Sequence, residues 1–369
     1  ARGSPRQGGG KWGVERREES LARPASIMTL TKSNEVTLTG HTKAIQDIGW
    51  SCDGKRLATA SGDTSARVWT VDGHRETSSI ELKDHTQSVE GVSWHPKQAD
   101  ALATVSTDKN IRIWDIRTKK SVHVTTPEEI INVCYSPSGN HIAISDKNET
   151  VRLLDCRKNK IIATYALPAS FWVNELVWTQ TGEALLLANG RQSSLEKGLV
   201  DVVKVDTTAG ELTPVHSVVS AAANCMCITM APSNQYFATG SYDGISCLWD
   251  TANLTCIRPC CTSLEEPIGS LAFSHNGTYI AGLCDIEPRN TTARKLIDVS
   301  EVATGETAAK VECKMIPRKL AWHPSQYILA YGCEKGEKHF EDEVSRYDTS
   351  SSRKNTVAPV CVVMFQHRG

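Results

Sequence analysis

One phrase recurs seven times along this chain: apolar residues, then an aromatic or methionine, then Ser, Thr, His or Ala, then a short turn. It reads GWSCDG at Trp50, VSWHP at Trp94, VCYSPSG at Tyr135, VWTQTG at Trp178, ITMAPSN at Met230, LAFSHNG at Phe273 and LAWHP at Trp322. Successive markers lie between 41 and 52 residues apart. A period near 40–45 residues, with two-residue alternation inside it, marks a unit of four short strands. In the first unit Ala44–Trp50 is expected as the inner strand, followed by Arg56–Ser61 and Ala66–Trp69 with tight turns at Asp53-Gly54 and Gly62-Asp63. Such a unit cannot bury both of its faces alone, so it stacks on its neighbours. Seven units imply an all-β, seven-bladed ring. An open sheet edge invites aggregation, so the termini are expected to close the ring, with Glu35–Leu38 beside a final strand at Val357–Gln366. On this reading residues 33–369 form the propeller and residues 1–32, with seven basic and three acidic residues, form a disordered, mildly basic tail.

The polar residues at fixed places in the units narrow the type. The first has Gly40-His41 ahead of the inner strand, Thr59 and Ser61 on the second strand, Asp63 in the next turn and Trp69 on the third strand. The second repeats the set as His85, Thr104, Ser106, Asp108 and Trp114, ending in IRIWD. A buried polar group needs a partner. A His, a hydroxyl, an Asp and an indole N–H can satisfy one another in a single chain. These are the marks of a WD40 repeat. The fifth unit keeps Asp243 and Trp249 but has Ala221 in the histidine's place, and the third offers only Asn148 and Leu154. Ser, His and Asp together also invite a hydrolase reading, but a nucleophile need not recur unit after unit at constant spacing. The sets read as structural.

The rest of the sequence excludes more than it assigns. It holds no GxxxxGK[ST], HExxH, GxSxG or kinase signature, so neither an enzymatic activity nor a cofactor or small-molecule substrate is expected. Thirteen cysteines scattered through strands, with Cys256, Cys260 and Cys261 lacking a second pair, read as free thiols in a reducing compartment and not as a metal site. The longest apolar run, near Ala184–Ala188, is far too short to span a bilayer. A formal net charge of −1 supplies no global field for nucleic acid.

Binding is expected on the face that carries the His-bearing loops. Lys43, Gln87, Glu129, Trp172 and Tyr242 fall near the mouth of the central channel there. Three turns on that face are enlarged: Asn189–Gly198, Asp285–Arg294 with Arg289, and Glu334–Asn355 with the acidic cluster Glu341, Asp342 and Glu343. Long loops on a rigid scaffold are where recognition commonly resides. A basic set on the opposite face, Arg117, Lys119, Lys120, Arg157, Lys158 and Lys160, is the one candidate RNA contact and reads as solvated turn charge.

Longer phrases carry a resemblance: WSCDGKRLA from Trp50, KNIRIWDIRTKK from Lys109, INVCYSPSG from Ile131, VNELVW from Val173, NCMCI from Asn224, YFATGSYD from Tyr236 and LIDVSEVATGE from Leu296. Together with SLAFSHNG, LAWHP and YDTSSSRK they resemble the WD-repeat subunit family of the THO complex over nearly all of residues 35–365. That resemblance implies a nuclear, non-catalytic scaffold in the transcription–export (TREX) machinery. Its partners would be the large helical THO subunits and mRNA export factors, with RNA mostly indirect and no membrane contact. Ala221 and the insertions of units four and six depart from the family's pattern. The alternative is a substrate- or chromatin-recognition propeller, such as a ubiquitin ligase receptor.

Overall fold

Strands with small and apolar residues at every position, such as LATAS, LATVS and YFATGS, have no face to offer to water. They become the second strands of seven four-stranded antiparallel sheets, almost wholly buried between neighbouring blades. The computed structural model describes residues 30–72, 75–191, 196–284, 295–334 and 357–367. The described residues form a seven-bladed β-propeller without an α-helix, and none of them forms a helix long and apolar enough to cross a membrane.

Blade 1 holds β2 (Ile45–Trp50), β3 (Arg56–Ser61), β4 (Ala66–Asp72) and β5 (Arg75–Leu82), from the channel outward. The other inner strands are β6 (Val89–Trp94), β10 (Ile130–Tyr135), β14 (Phe171–Trp178), β18 (Cys225–Met230), β22 (Ile268–Phe273) and β26 (Pro317–Trp322). Apolar clusters fill the aisles between blades. Ile45, Ile48, Leu57 and Trp69 of blade 1, for instance, pack on Val360 and Val362 of blade 7.

Blade 7 closes the ring. Its order is β26, β27 (Ile328–Cys333), β28 (Ala358–His367) and then β1 (Leu30–His41), the first of the described strands. Glu35 pairs with Val363 and Leu38 with Val360. The closing strand is longer than its apolar core predicts: Leu30, Thr31 and Lys32 pair with His367, Gln366 and Phe365. Residues 30–32, expected in the tail, thus belong to strand β1, and Leu30 is buried in one cluster with Phe365.

Every inner strand leaves one backbone edge toward the channel, and unpaired edge groups need partners. Each has a register shift after its first or third residue, at Ile45/Asp47, Val89/Gly91, Ile130/Asn132, Val173/Glu175, Cys225/Cys227, Ile268/Ser270 and Pro317/Lys319. Bulges of this kind re-aim the next side chain, and several of these side chains reach the edge of the following blade. Asp47 accepts the Val92 N–H at 2.9 Å, Glu175 that of Ile228 at 3.0 Å, and Ser270 that of Leu320 at 3.3 Å. The marker tryptophans reach the other way. Trp94 Nε1 donates to the Gly49 carbonyl at 2.9 Å, Trp178 to Cys134 at 3.1 Å, Trp322 to Ala272 at 3.1 Å and Trp50 to Ala321 at 3.2 Å. The marker aromatic is thus a blade-to-blade latch.

Candidate partner-binding face

The loop before β2 and the turn between β3 and β4 open on one face, here called the upper face, because His41 and Asp63 meet there. The His41 Nε2 lies 2.8 Å from Thr59 Oγ1, and Trp69 Nε1 donates to the same oxygen at 3.0 Å. His41 Nδ1 lies 2.9 Å from Asp63 Oδ2, which also accepts the Thr42 N–H at 2.9 Å. The Asp63 carboxylate only accepts, so the imidazole carries a proton on Nδ1, and the Thr59 hydroxyl accepts the indole N–H beside its bond to Nε2. Blade 2 repeats this with His85, Thr104, Trp114 and Asp108, each link at 2.8 Å. The serines do something else: Ser61 Oγ donates to the Lys43 carbonyl at 2.9 Å and Ser106 Oγ to that of Gln87 at 3.3 Å, tying each turn to the entering loop.

Burial disfavours ionising Asp63, but the His41 and Ser65 side chains and the Thr42 N–H outweigh it and hold its carboxyl well below the usual range. Asp108 is lowered against the same burial penalty by the Thr86 N–H and His85. Burial lowers His85, with Asp108 pulling the other way. Thr59, Ser61 and His41 are fully buried. No hydroxyl of these sets is open to a substrate; their chemistry is spent inside the blade.

The decayed blades keep fragments. In blade 5 Trp249 Nε1 donates to Thr239 Oγ1 at 2.9 Å, but Ala221 cannot continue the chain, and Asp243 accepts the Ile245 N–H at 3.1 Å. Blade 3 has a different solution. Asp146 occupies the serine's place opposite Ile130, is buried, and forms an ion pair with Arg152. Asp146 also accepts the N–H groups of Asn148 at 3.0 Å and Thr150 at 3.1 Å. A reading that looked only at Asn148 and Leu154 passes over this pair.

The channel carries a charged group of its own. Lys319 Nζ on β26 lies 2.8 Å from Glu175 Oε1 on β14, three blades away. Burial opposes the charge on Lys319, yet Glu175 and Asp47 outweigh it and hold its pKa above the ordinary value. Asp47 is pushed up to about 6, first by burial, with Lys319 pulling it down. All three sit three residues before a marker tryptophan, the spacing that could have revealed them.

Three segments, residues 32–70, 76–115 and 212–250, match the WD domain, G-beta repeat. Each begins on the outer strand of one blade and ends on the third strand of the next. THO complex subunit 3 of Arabidopsis thaliana is 33% identical over 308 residues, 82% of this chain and 91% of that protein. The chain belongs to the THO complex subunit 3 family. WD repeat-containing protein AAC3 of Dictyostelium discoideum is 27% identical over 332 residues, covering 83% of this chain and 65% of that one. The solved β-propeller domain of Cps50 (Swd1) from Myceliophteria thermophila superposes with a TM-score of 0.68 over 88% of this chain and 98% of that domain, at 16% identity. It shares the fold. A member of this family is a non-enzymatic WD-repeat scaffold. Among the described residues no group of three or more His, Cys, Asp or Glu side chains could hold a metal ion. The cysteines are free thiols, several pushed up by burial, Cys134 to about 11 and Cys225 to about 12.

On this family's upper face the structure places Lys43 and Gln87 in solvent, and Glu129 half-buried and paired with Lys147. Trp172 is the second residue of β14 and is 43% exposed, while Tyr242 is half-buried. Asn189, Gly190 and Arg191 belong to a strand, Ala184–Arg191, so the expected insertion in blade 4 shrinks to the few residues before Gly198. Arg289, Arg294, Glu341, Asp342 and Glu343 lie outside the described residues. On the opposite face Arg117 pairs with Asp115 at 3.2 Å, and Arg157 and Lys158 lie 3.8 and 3.5 Å from Asp155.

Proposed function

We propose that this propeller is a scaffold subunit of a nuclear THO assembly, docking onto large helical subunits and serving mRNA packaging and export coupled to transcription. The observation that carries the reading is the family relationship, which spans 82% of the chain and 91% of the Arabidopsis protein named THO complex subunit 3. The scaffold reading is supported by the use of the polar residues: the Ser, Thr, His and Asp sets are consumed in buried hydrogen bonds of the fold, and an exposed tryptophan is left at the channel mouth. RNA contact is read as indirect, because Arg117, Arg157 and Lys158 of the basic set already pair with aspartates of their own turns.

The test is affinity purification of the intact chain from nuclear extract with mass spectrometry of what accompanies it. Stoichiometric recovery of large helical THO subunits is the expected result. Recovery of a cullin adaptor or of histones in their place would overturn the reading in favour of a recognition propeller.

A further inference from the structure

Two of the large apolar side chains left in solvent lie on the upper face, Trp172 on blade 4 and Ile245 on blade 5, at 43% and 52% exposure. A run of strand pairings and hydrogen bonds links the backbone beneath them. Trp172 immediately precedes Val173 at the head of blade 4's inner strand, and Asn224 holds the same place before Cys225 in blade 5. Asn224 clamps the end of the blade 4 strand, its side chain bonding the N–H and the carbonyl of Arg191 at 2.9 Å each. The Asn224 carbonyl accepts the Tyr242 N–H at 2.9 Å, which seats Tyr242 beside it. From Tyr242 the turn runs through Asp243 and Gly244 to Ile245 and lies on the entering loop of blade 6. A Cβ on Gly244 would come 3.2 Å from the Glu265 backbone and 3.3 Å from the Glu266 carbonyl.

The charge along this arc is one-sided. At the blade 3 edge of the mouth the acids are neutralised, Glu129 by Lys147 and Glu128 by Lys109 at 3.7 Å. On blade 4 Arg191 pairs with Glu196 at 3.2 Å and lies over the Phe171 ring. Around Ile245 the balance changes: Asp243 and Glu265 are exposed and Glu266 half-exposed, and no ion pair joins them to a described lysine or arginine. Exposed aromatic and aliphatic anchors beside uncompensated carboxylates complement a segment with large apolar side chains flanked by cations. A polyanion is repelled by the same carboxylates.

We propose that the arc Trp172, Tyr242 and Ile245, rimmed by Asp243, Glu265 and Glu266, is the docking surface for a basic, apolar-anchored polypeptide segment of a protein partner. This deepens the scaffold reading and rests on it for the partner's identity. The apolar residues supply the anchor and the carboxylates fix its direction. The blade 3 side of the channel mouth, where Glu128 and Glu129 are paired with lysines, and the opposite face take no part.

The test uses the full chain and a purified THO subunit that co-purifies with it. Trp172→Ala with Ile245→Ala should weaken binding at least ten-fold, and Asp243→Lys with Glu265→Lys and Glu266→Lys should weaken it as much while flattening its dependence on salt. Lys120→Glu with Lys160→Glu on the opposite face is expected to leave binding within two-fold. All positions are at the surface, and an unchanged melting curve shows that each variant folds. Binding that survives both arc variants, or that is lost only in the opposite-face variant, overturns the arc and leaves the scaffold reading intact. If no THO subunit co-purifies, the scaffold reading falls, and the same variants are measured against whichever purified partner does. Loss there upholds the arc; retention, or arc-dependent binding of a single-stranded RNA oligonucleotide instead of protein, overturns it.

Discussion

Lys319 reaches across the channel of the ring to Glu175, an ion pair of 2.8 Å between residues 144 positions apart in sequence. It joins blade 7 to blade 4, while Glu175 also holds the Ile228 N–H of blade 5. Lys319→Met leaves a carboxylate at the hub without its cation and should cost about 3 kcal/mol in denaturant unfolding. Lys319→Met with Glu175→Gln removes both charges while keeping an acceptor for the Ile228 N–H, and should recover most of that loss. A double variant no more stable than the single one would show that the pair does not hold the hub.

The pH profile contains two opposed contributions. Asp47 titrates at about 6 in the fold against an ordinary value of 3.8, so the folded state binds the extra proton and stability falls as pH rises from about 4 to about 6. Asp63 and Asp108 are lowered in the fold; their contribution is complete above about pH 4 and is lost as the pH falls below that. Asp47→Asn should therefore flatten the melting temperature between pH 4 and 6 and leave the acid limb in place. Asp63→Asn should blunt the acid limb instead.

Breaking one network should cost more than losing one hydrogen bond. His41→Ala leaves the Thr59 hydroxyl and the Asp63 carboxylate without their shared partner in a buried site, a loss of about 2–3 kcal/mol. Blade 5 already lives with Ala221, so Trp249→Phe, which strips a chain of one link, should cost nearer 1 kcal/mol. Thermal unfolding of the two variants side by side orders them.

Two glycines are fixed by histidines of the preceding blade in the ring. Gly54 has φ +71°, and a Cβ there would lie 2.2 Å from His323 Nε2; Gly139 has φ +81°, with His95 at 2.3 Å. Gly139→Ala should destabilise by about 2–4 kcal/mol through strain and clash together. Adding His95→Ala should return only the clash, and a melt that shows no such coupling would place the cost wholly in the backbone.

Deleting the chain through His41 removes β1 and uncovers the edge of β28, where Val360 and Val362 are buried. It also removes Glu35, which accepts the Tyr331 hydroxyl at 2.8 Å. The truncated protein should aggregate on refolding, as light scattering would show, whereas Tyr331→Phe should lose about 1 kcal/mol and stay monomeric.

The blade count and the two complete networks are legible in residue spacing because each lies within one period of the chain. What the residue names leave open is which hydroxyl takes part. Register decides it: Thr59 lies two residues further into the strand than Ser61, beneath the indole, while Ser61 lies at the turn. Lys319, Glu175 and Asp47 escape a motif search for the opposite reason. Each is one residue of its own unit, and only ring closure brings them together. Asp146 escapes because a carboxylate stands where the pattern asks for a hydroxyl, and its partner Arg152 takes over the balancing role. That residues 30–34 are strand is hidden by the polar run Thr31 to Asn34, which an outer strand tolerates because one of its faces meets water.

The pairing of β1 with β28 also sets the order of events during synthesis. The first propeller strand to leave the ribosome waits for the last one made, more than 300 residues later, and until then both the strand and the hub it will close remain open. A ring built this way is committed to a long nascent stage in which six blades stand as an unsealed arc. Its exposure to chaperones, and to subunits that could bind it while still open, is written into the position of its first strand.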